Sequence, residues 1–179
     1  MAFEYSPELI EKAGKIRLLV LDVDGVMTDG RIIFGSFGVE LKNFDVNDGL
    51  GIFLVKKAGI KCVLLTAKGS PAVLARAKQL KVDKVYKDIH YKINALGPIR
   101  DDLGVSDEEI CFMGDDLIDI PVLRRIGLSV CPDNAMDDVK KYCDIVTTKK
   151  GGHGAVRELC EFLLKAQGKW REVTSRYFE

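Results

Sequence analysis

The sequence predicts an α/β domain built on a doubly wound parallel sheet, and three observations lead there. Short, nearly uninterrupted apolar runs alternate along the chain with longer amphipathic ones, the pattern of strands buried on both faces and the helices that cover them. The three strongest apolar runs each lead into a polar residue, Asp22, Thr66 and Asp115, at the end where an open parallel sheet gathers its ligand crevice. The length of 179 residues suits one domain spanning 1–179, within the usual range of roughly 100–200 residues.

Residues 16–21 (IRLLVL) read as the first buried strand, ending at Asp22. Residues 31–44 (RIIFGSFGVELKNF) break the alternation and read as an inserted β-hairpin turning at Gly35–Gly38, with Val39 and Leu41 on an apolar face and Glu40 and Lys42 on the other. A two-stranded hairpin is marginal alone, so its apolar face is expected to lean on its own domain or another subunit. Residues 49–58 place Leu50, Phe53, Leu54 and Ala58 on one helical face, and Gly59 stops that helix. Residues 61–65 (KCVLL) form a second buried strand leading to Thr66. Ser70 with Pro71 opens a helix over 70–80. A short strand at 84–86, a helix near 92–103 and a third strong strand at 109–113 follow, the last passing through Gly114 into Asp115. Residues 118–125 read as helical, 127–131 and 144–146 as short strands, and 156–165 as an amphipathic helix before a tail over 168–179. No repeat, low-complexity tract or interdomain linker interrupts the series.

Composition removes several classes of function. With 47% hydrophobic and 30% charged residues the chain has the profile of a globular protein. Its 27 basic residues balance 27 acidic ones, which argues against nucleic acid as a partner. No apolar run approaches the roughly 20 residues that span a bilayer, and residues 1–15 lack an apolar signal core, so a cytoplasmic location is expected. The five cysteines form no C-x-x-C pair and mostly sit in apolar runs, the pattern of small buried hydrophobes.

The chemistry lies at the strand ends. Asp22-Val-Asp24-Gly25 follows the first strand and Gly114-Asp115-Asp116, with Asp119 a turn later, follows the third. So many carboxylates in one crevice repel one another. A hard divalent cation relieves that repulsion, and ligands that are all oxygen point to Mg²⁺.

In chain order, Asp22-Val-Asp24-Gly25-Val26, Thr66, Lys92 and Gly114-Asp115-Asp116-x-x-Asp119 resemble the four motifs of the haloacid dehalogenase superfamily. That resemblance implies a Rossmann-like fold, and D-x-D-G implies the phosphatase branch. It sharpens at DVDGVMTDG, the hairpin, FDVNDGLGI, GDDLIDIPVL and GGHGAVRELC, segments similar to the small subgroup without a cap domain that includes the 3-deoxy-D-manno-octulosonate 8-phosphate phosphatases. The implied reaction is hydrolysis of a phosphorylated 2-keto-3-deoxy sugar acid, of eight carbons or, as the alternative, nine; an idle oligomerisation module is the reading from another class.

Each motif residue has a physical reason. A carboxylate nucleophile, Asp22, splits the displacement into two easier steps through an acyl phosphate. Asp24 protonates the departing alcohol and then takes a proton from water. Thr66 donates to a phosphate oxygen, Lys92 offsets negative charge, and Asp22, Asp24 and Asp115 hold the metal. Asp116 and Asp119 are expected behind them, on metal waters or neighbouring loops. Three carboxylates and a phosphate dianion against a divalent cation and Lys92 leave two excess negative charges, which favours protonated Asp24.

By the same resemblance, Asp45, Asn47, Asp48, Gly49 and Phe53 align with a substrate-contacting loop, Lys68 replaces the Arg of a T-G-R motif, Arg76 stands nearby, and His153 sits in a Gly-rich segment read as an anion-binding turn. Asp45, Asn47, Phe53 and Lys68 depart from the residues usual in the octulosonate enzymes, and Lys for Arg loses bidentate recognition of a carboxylate. The resemblance also implies a homotetramer in which each hairpin covers a neighbour's site.

Overall fold

The computed structural model describes residues 6–179; the part of the signal-core reading that concerns residues 1–5 lies outside them. Six apolar runs pair into one sheet: β1 (Leu18–Leu21), β4 (Lys61–Leu65), β5 (Lys84–Tyr86), β6 (Ile110–Met113), β7 (Leu128–Cys131) and β8 (Ile145–Val146). Every pairing is parallel, in the order β5-β4-β1-β6-β7-β8. The order reverses at β1, the switch point at which such sheets open a crevice beyond their carboxyl ends. Leu21 pairs with both Leu64 and Met113, so Asp22, Thr66 and Asp115 emerge along one edge.

The strands bury both faces. Leu19, Leu21, Cys62, Leu64, Cys111 and Met113 join one apolar cluster, with α1 (Pro7–Lys15), α2 (Val46–Lys57), α3 (Pro71–Leu80) and α7 (Ala155–Ala166). Their alternates Leu18, Val20, Val63, Leu65, Ile110 and Phe112 join the other, with α4 (Leu96–Leu103), α5 (Ile120–Leu123) and α6 (Asp137–Lys140). Four of the cysteines are buried, Cys143 is half-buried, and all five are free.

Several elements differ from the sequence reading. Helix α1 has no counterpart in it, although Ser6 accepts from the Leu9 amide ahead of Pro7, the same opening that Ser70 and Pro71 give α3. Helix α2 starts at Val46 because Asp45 caps it, its side chain accepting from the Asn47 amide at 2.5 Å. The helix expected near 92–103 begins as a 3-10 turn at Lys92–Ala95, and that expected over 118–125 is a 3-10 turn at Leu117–Asp119 followed by α5. The tail folds into α8 (Trp170–Thr174) and a 3-10 turn, tied to the end of α2 by Lys57 on the Val173 carbonyl and Lys169 on the Ala58 carbonyl.

The hairpin, β2 (Ile33–Phe34) and β3 (Glu40–Leu41), is antiparallel as expected, and its apolar residues do not lean on their own domain. Val39 and Leu41 are 56% and 49% exposed, whereas the Lys42 side chain is 2% exposed. The charged face turns inward because a carboxylate, Asp24, lies beneath it. Ile32, Phe34 and Phe37 are left on the surface. No other insertion stands over the crevice among the described residues.

Candidate active site

The edge formed by β4, β1 and β6 opens into a crevice of about 230 Å³ lined by Asp22, Asp24, Gly25, Gly30, Thr66, Ala67, Lys68, Lys92, Asp115, Asp116 and Ile118. Asp22 follows β1 directly: its amide donates to the Met113 carbonyl at 3.0 Å, and its Oδ1 accepts from the Val23 amide at 2.7 Å. The loop then turns through Gly25 at φ +80°, and a Cβ there would lie 1.9 Å from Asp115 Oδ2. Only glycine lets the two acidic loops approach this closely.

Lys92 is buried between the acids. Its ammonium lies 2.8 Å from Asp22 Oδ2 and 2.6 Å from Asp119 Oδ1, a positive charge sealed inside the site. Asp119 is also fully buried; its Oδ2 accepts from the amides of Asp115 at 2.9 Å and Asp116 at 3.1 Å. One carboxylate thereby orients both the lysine and the loop that carries Asp115.

Carboxylate oxygens of Asp22, Asp115 and Asp119 lie within 4.8 Å of one another. Of the expected ligands, Asp22 and Asp115 belong to this cluster together with Asp119, while the Asp24 carboxylate is engaged by Lys42. Asp119 spends both oxygens on Lys92 and the Asp115 loop, and Asp22 and Asp115 face the crevice as candidate cation ligands, with Asp24 on the same wall. Burial first, then the charges of Asp22 and Asp119, push the Asp115 carboxyl up to about 8. Burial likewise raises Asp22, against the opposing pull of Lys92. Carboxyls driven this far above their ordinary range, with Lys92 as the one ammonium among them, fit a hard divalent cation.

The remaining expected residues divide. The Thr66 hydroxyl lines the crevice while closing a turn with the backbone of Lys68, donating to its carbonyl at 3.1 Å and accepting from its amide at 3.2 Å. Lys68 also lines the crevice and pairs with Glu40 at 2.6 Å. Asp116 accepts from the Leu117 amide and opens the 3-10 turn before α5.

The residues expected at the substrate have other partners in this structure. Asp45 caps α2, and Asn47 is exposed on its first turn. Asp48 is buried, and its Oδ1 accepts from the Arg157 amide at 2.8 Å, capping α7 across space where Gly154 offers no side chain. Burial pushes the Asp48 carboxyl up to about 6. Gly49 packs on Arg76, whose Nη2 donates to the Asp45 carbonyl at 2.8 Å. Phe53 lies under the Arg176 guanidinium, 5.8 Å from ring centre to Cζ. None of these lines the crevice. Nor is the segment around His153 an open anion-binding turn, since the amides of Gly151, Gly152 and His153 donate to Asn134, Val26 and Lys150. A Cβ on Gly151 would lie 1.9 Å from the Gly25 carbonyl oxygen; its glycines serve close packing against the Asp24 loop.

Sequence reasoning missed two residues at the site. Asn134 clamps the loops, its Nδ2 donating to the Gly25 carbonyl and its Oδ1 accepting from Gly151, and no pattern marked it. Lys42 was placed only on the hairpin face opposite Val39 and Leu41. Burial opposes its charge, but pairing with Asp24 and with Glu40, 2.8 Å away, holds its pKa above the ordinary value.

A family model described as haloacid dehalogenase-like hydrolase matches residues 74–159. The chain is 41% identical over 168 residues to the 3-deoxy-D-manno-octulosonate 8-phosphate phosphatase KdsC of Salmonella typhimurium, covering 94% of this chain and 89% of that one. It superposes with a TM-score of 0.93 on the 3-deoxy-D-manno-octulosonate 8-phosphate phosphatase of Moraxella catarrhalis in complex with a magnesium ion, a phosphate ion and a KDO molecule, at 36% identity and covering 97% and 99% of the two chains. The corresponding phosphatase of Yersinia pestis gives 0.90 at 39% identity, covering 92% and 89%. With this likeness running nearly the whole length and the acidic strand ends in place, the chain belongs to the haloacid dehalogenase-like hydrolases.

Proposed function

We propose that this chain is a magnesium-dependent phosphatase that hydrolyses 3-deoxy-D-manno-octulosonate 8-phosphate to the free sugar acid and phosphate through a phosphoaspartate on Asp22. The observation that carries the reaction is the Asp22 carboxylate at the carboxyl end of β1, braced by buried Lys92 and set beside Asp115. The substrate rests on the relatives: the chain is similar over nearly its full length to enzymes named for this activity.

Asp22 presents its carboxylate to the phosphorus, with Lys92 fixing its orientation through Oδ2. Thr66 and the backbone amides around Gly25 and Ala67 face the equatorial phosphate oxygens from the crevice wall. Asp22 and Asp115, with Asp24 on the same loop as Asp22, would hold a Mg²⁺, which would supply positive charge against the phosphoryl oxygens. Asp24, protonated, gives its proton to the departing sugar oxygen; as a carboxylate it then takes a proton from the water that attacks phosphorus, which returns Asp22 unmodified. Lys68 at the mouth is the cation best placed for the sugar-acid carboxylate.

The exposed Phe34 and Phe37 of the hairpin support a homotetramer in which hairpins cover neighbouring crevices and exclude water from the acyl phosphate. A cytoplasmic location suits the reading; among the described residues no helix is long and apolar enough to cross a membrane. The test is phosphate release from 3-deoxy-D-manno-octulosonate 8-phosphate with Mg²⁺ and with EDTA, beside a nine-carbon homologue. Metal-dependent turnover that favours the eight-carbon substrate is expected. Preference for the homologue would move the substrate, and no turnover on either would leave an idle module.

A further inference from the structure

The inward face of the hairpin is physically unusual. Val39 and Leu41 stay exposed while Lys42 between β3 and Phe44 is almost completely buried. Burying an ammonium is unfavourable unless it is paired, and breaking such a pair costs more than never forming it. Lys42 is paired twice, with Asp24 and with Glu40. The second oxygen of Glu40 carries Lys68, which lines the crevice mouth. The result is a row of alternating charge, Asp24, Lys42, Glu40 and Lys68, running from the proton-transfer residue to the crevice wall.

The members of this row differ in freedom. The Asp24 side chain is 41% exposed and has room to turn; Lys42 has none. Lys42 holds Oδ1 of Asp24 and so fixes the direction in which its second oxygen points; Asp24 must turn on that contact, or part from it, to reach a leaving oxygen within each turnover. Lys68 is 60% exposed and is the row's one outward contact for an arriving anion. An anion that draws Lys68 from Glu40 leaves Glu40 to Lys42 alone, which weakens the hold of Lys42 on Asp24.

We infer that Lys42, seated by Glu40, is a positioning residue that parks the Asp24 carboxylate at the hairpin and releases it toward the leaving oxygen when an anionic substrate engages Lys68. This deepens the phosphatase reading and rests on it. The hairpin is then part of each subunit's own proton-transfer apparatus as well as a surface.

The test compares wild type, Lys42→Met, Lys42→Arg and Glu40→Gln, with melting curves to establish folding. On 3-deoxy-D-manno-octulosonate 8-phosphate, Lys42→Met and Glu40→Gln are expected to lose about 10–100-fold in kcat, part of the 10²–10⁴-fold that proton transfer contributes, with KM changed less than about threefold. Lys42→Arg keeps the charge and recovers most of the loss. Single-turnover release of p-nitrophenolate from p-nitrophenyl phosphate, whose leaving group needs no proton, should stay within about threefold of wild type. Unchanged kcat in Lys42→Met would overturn the inference. So would a raised KM at constant kcat, which would make Lys42 a substrate contact, or an equal fall on both substrates, which would mean general damage. If Lys42→Met does not fold, the same outcomes are read on Glu40→Gln. An inactive wild type would instead overturn the phosphatase reading.

Discussion

With its ammonium within 2.8 Å of both Asp22 and Asp119, Lys92 is held inside the protein by the charges it serves. Removing it leaves buried carboxylates unpaired, so Lys92→Met is expected to destabilise the metal-free protein by about 3–5 kcal/mol and to abolish turnover; urea unfolding checks the first and phosphate release the second. Asp115 makes a pH-dependent counterpart. Its carboxyl is raised to about 8, mainly by burial and then by Asp22 and Asp119, so between its unfolded value and pH 8 the native state holds a proton that the unfolded chain has lost. Stability of the metal-free protein therefore falls as pH rises through that window. A bound cation displaces the same proton, so the melting temperature gained on adding Mg²⁺ should widen from pH 5 to pH 8 and then level; a constant gain would contradict the assignment. The motif acids and Lys92 were legible in the chain because their types and spacing carry chemistry. Lys42 was not, because alternation along a two-residue strand cannot say which face lies over a carboxylate. Asp45 and Asp48 were placed at the substrate by resemblance; the structure shows a second role that the sequence reading did not give them, as helix caps.

Among the elements, the buried strands were the easiest to recognise, since both faces require apolar residues and the ends leave the sheet together. Helix α1 was marked by Ser6-Pro7 as plainly as α3 by Ser70-Pro71, but its mixed charge hid it. The helices near 92–103 and 118–125 were foreshortened because each opens as a 3-10 turn that carries a residue of the site, Lys92 at the start of one and Asp119 at the end of the other. The hairpin stands where it was expected, and the apolar face that was to lean on its own domain or another subunit is exposed: Phe34, Phe37, Val39 and Leu41 all lie on the surface, which suits the interface proposal. Replacing Phe34 and Phe37 by Ser should leave the monomer fold intact and reduce a tetramer to smaller species in sedimentation. An unchanged assembly would place the interface elsewhere.

Across the whole molecule, the fold's contribution is convergence. Residues from β1, β4, β6 and the 3-10 turn at Lys92–Ala95 meet at the switch point of a single parallel sheet, and the glycines at 25 and 151 let three loops close over one another there. That convergence places one carboxylate, Asp22, against Lys92 and beside Asp115, where the proposed mechanism needs it. The most direct measurement is a crystal structure of the enzyme with Mg²⁺ and beryllium fluoride, a mimic of the phosphoryl group. The account predicts beryllium bonded to an Asp22 carboxylate oxygen, with the cation between Asp22 and Asp115 and Thr66 within reach of a fluorine. Fluoride bound away from Asp22, with no cation beside Asp115, would contradict it.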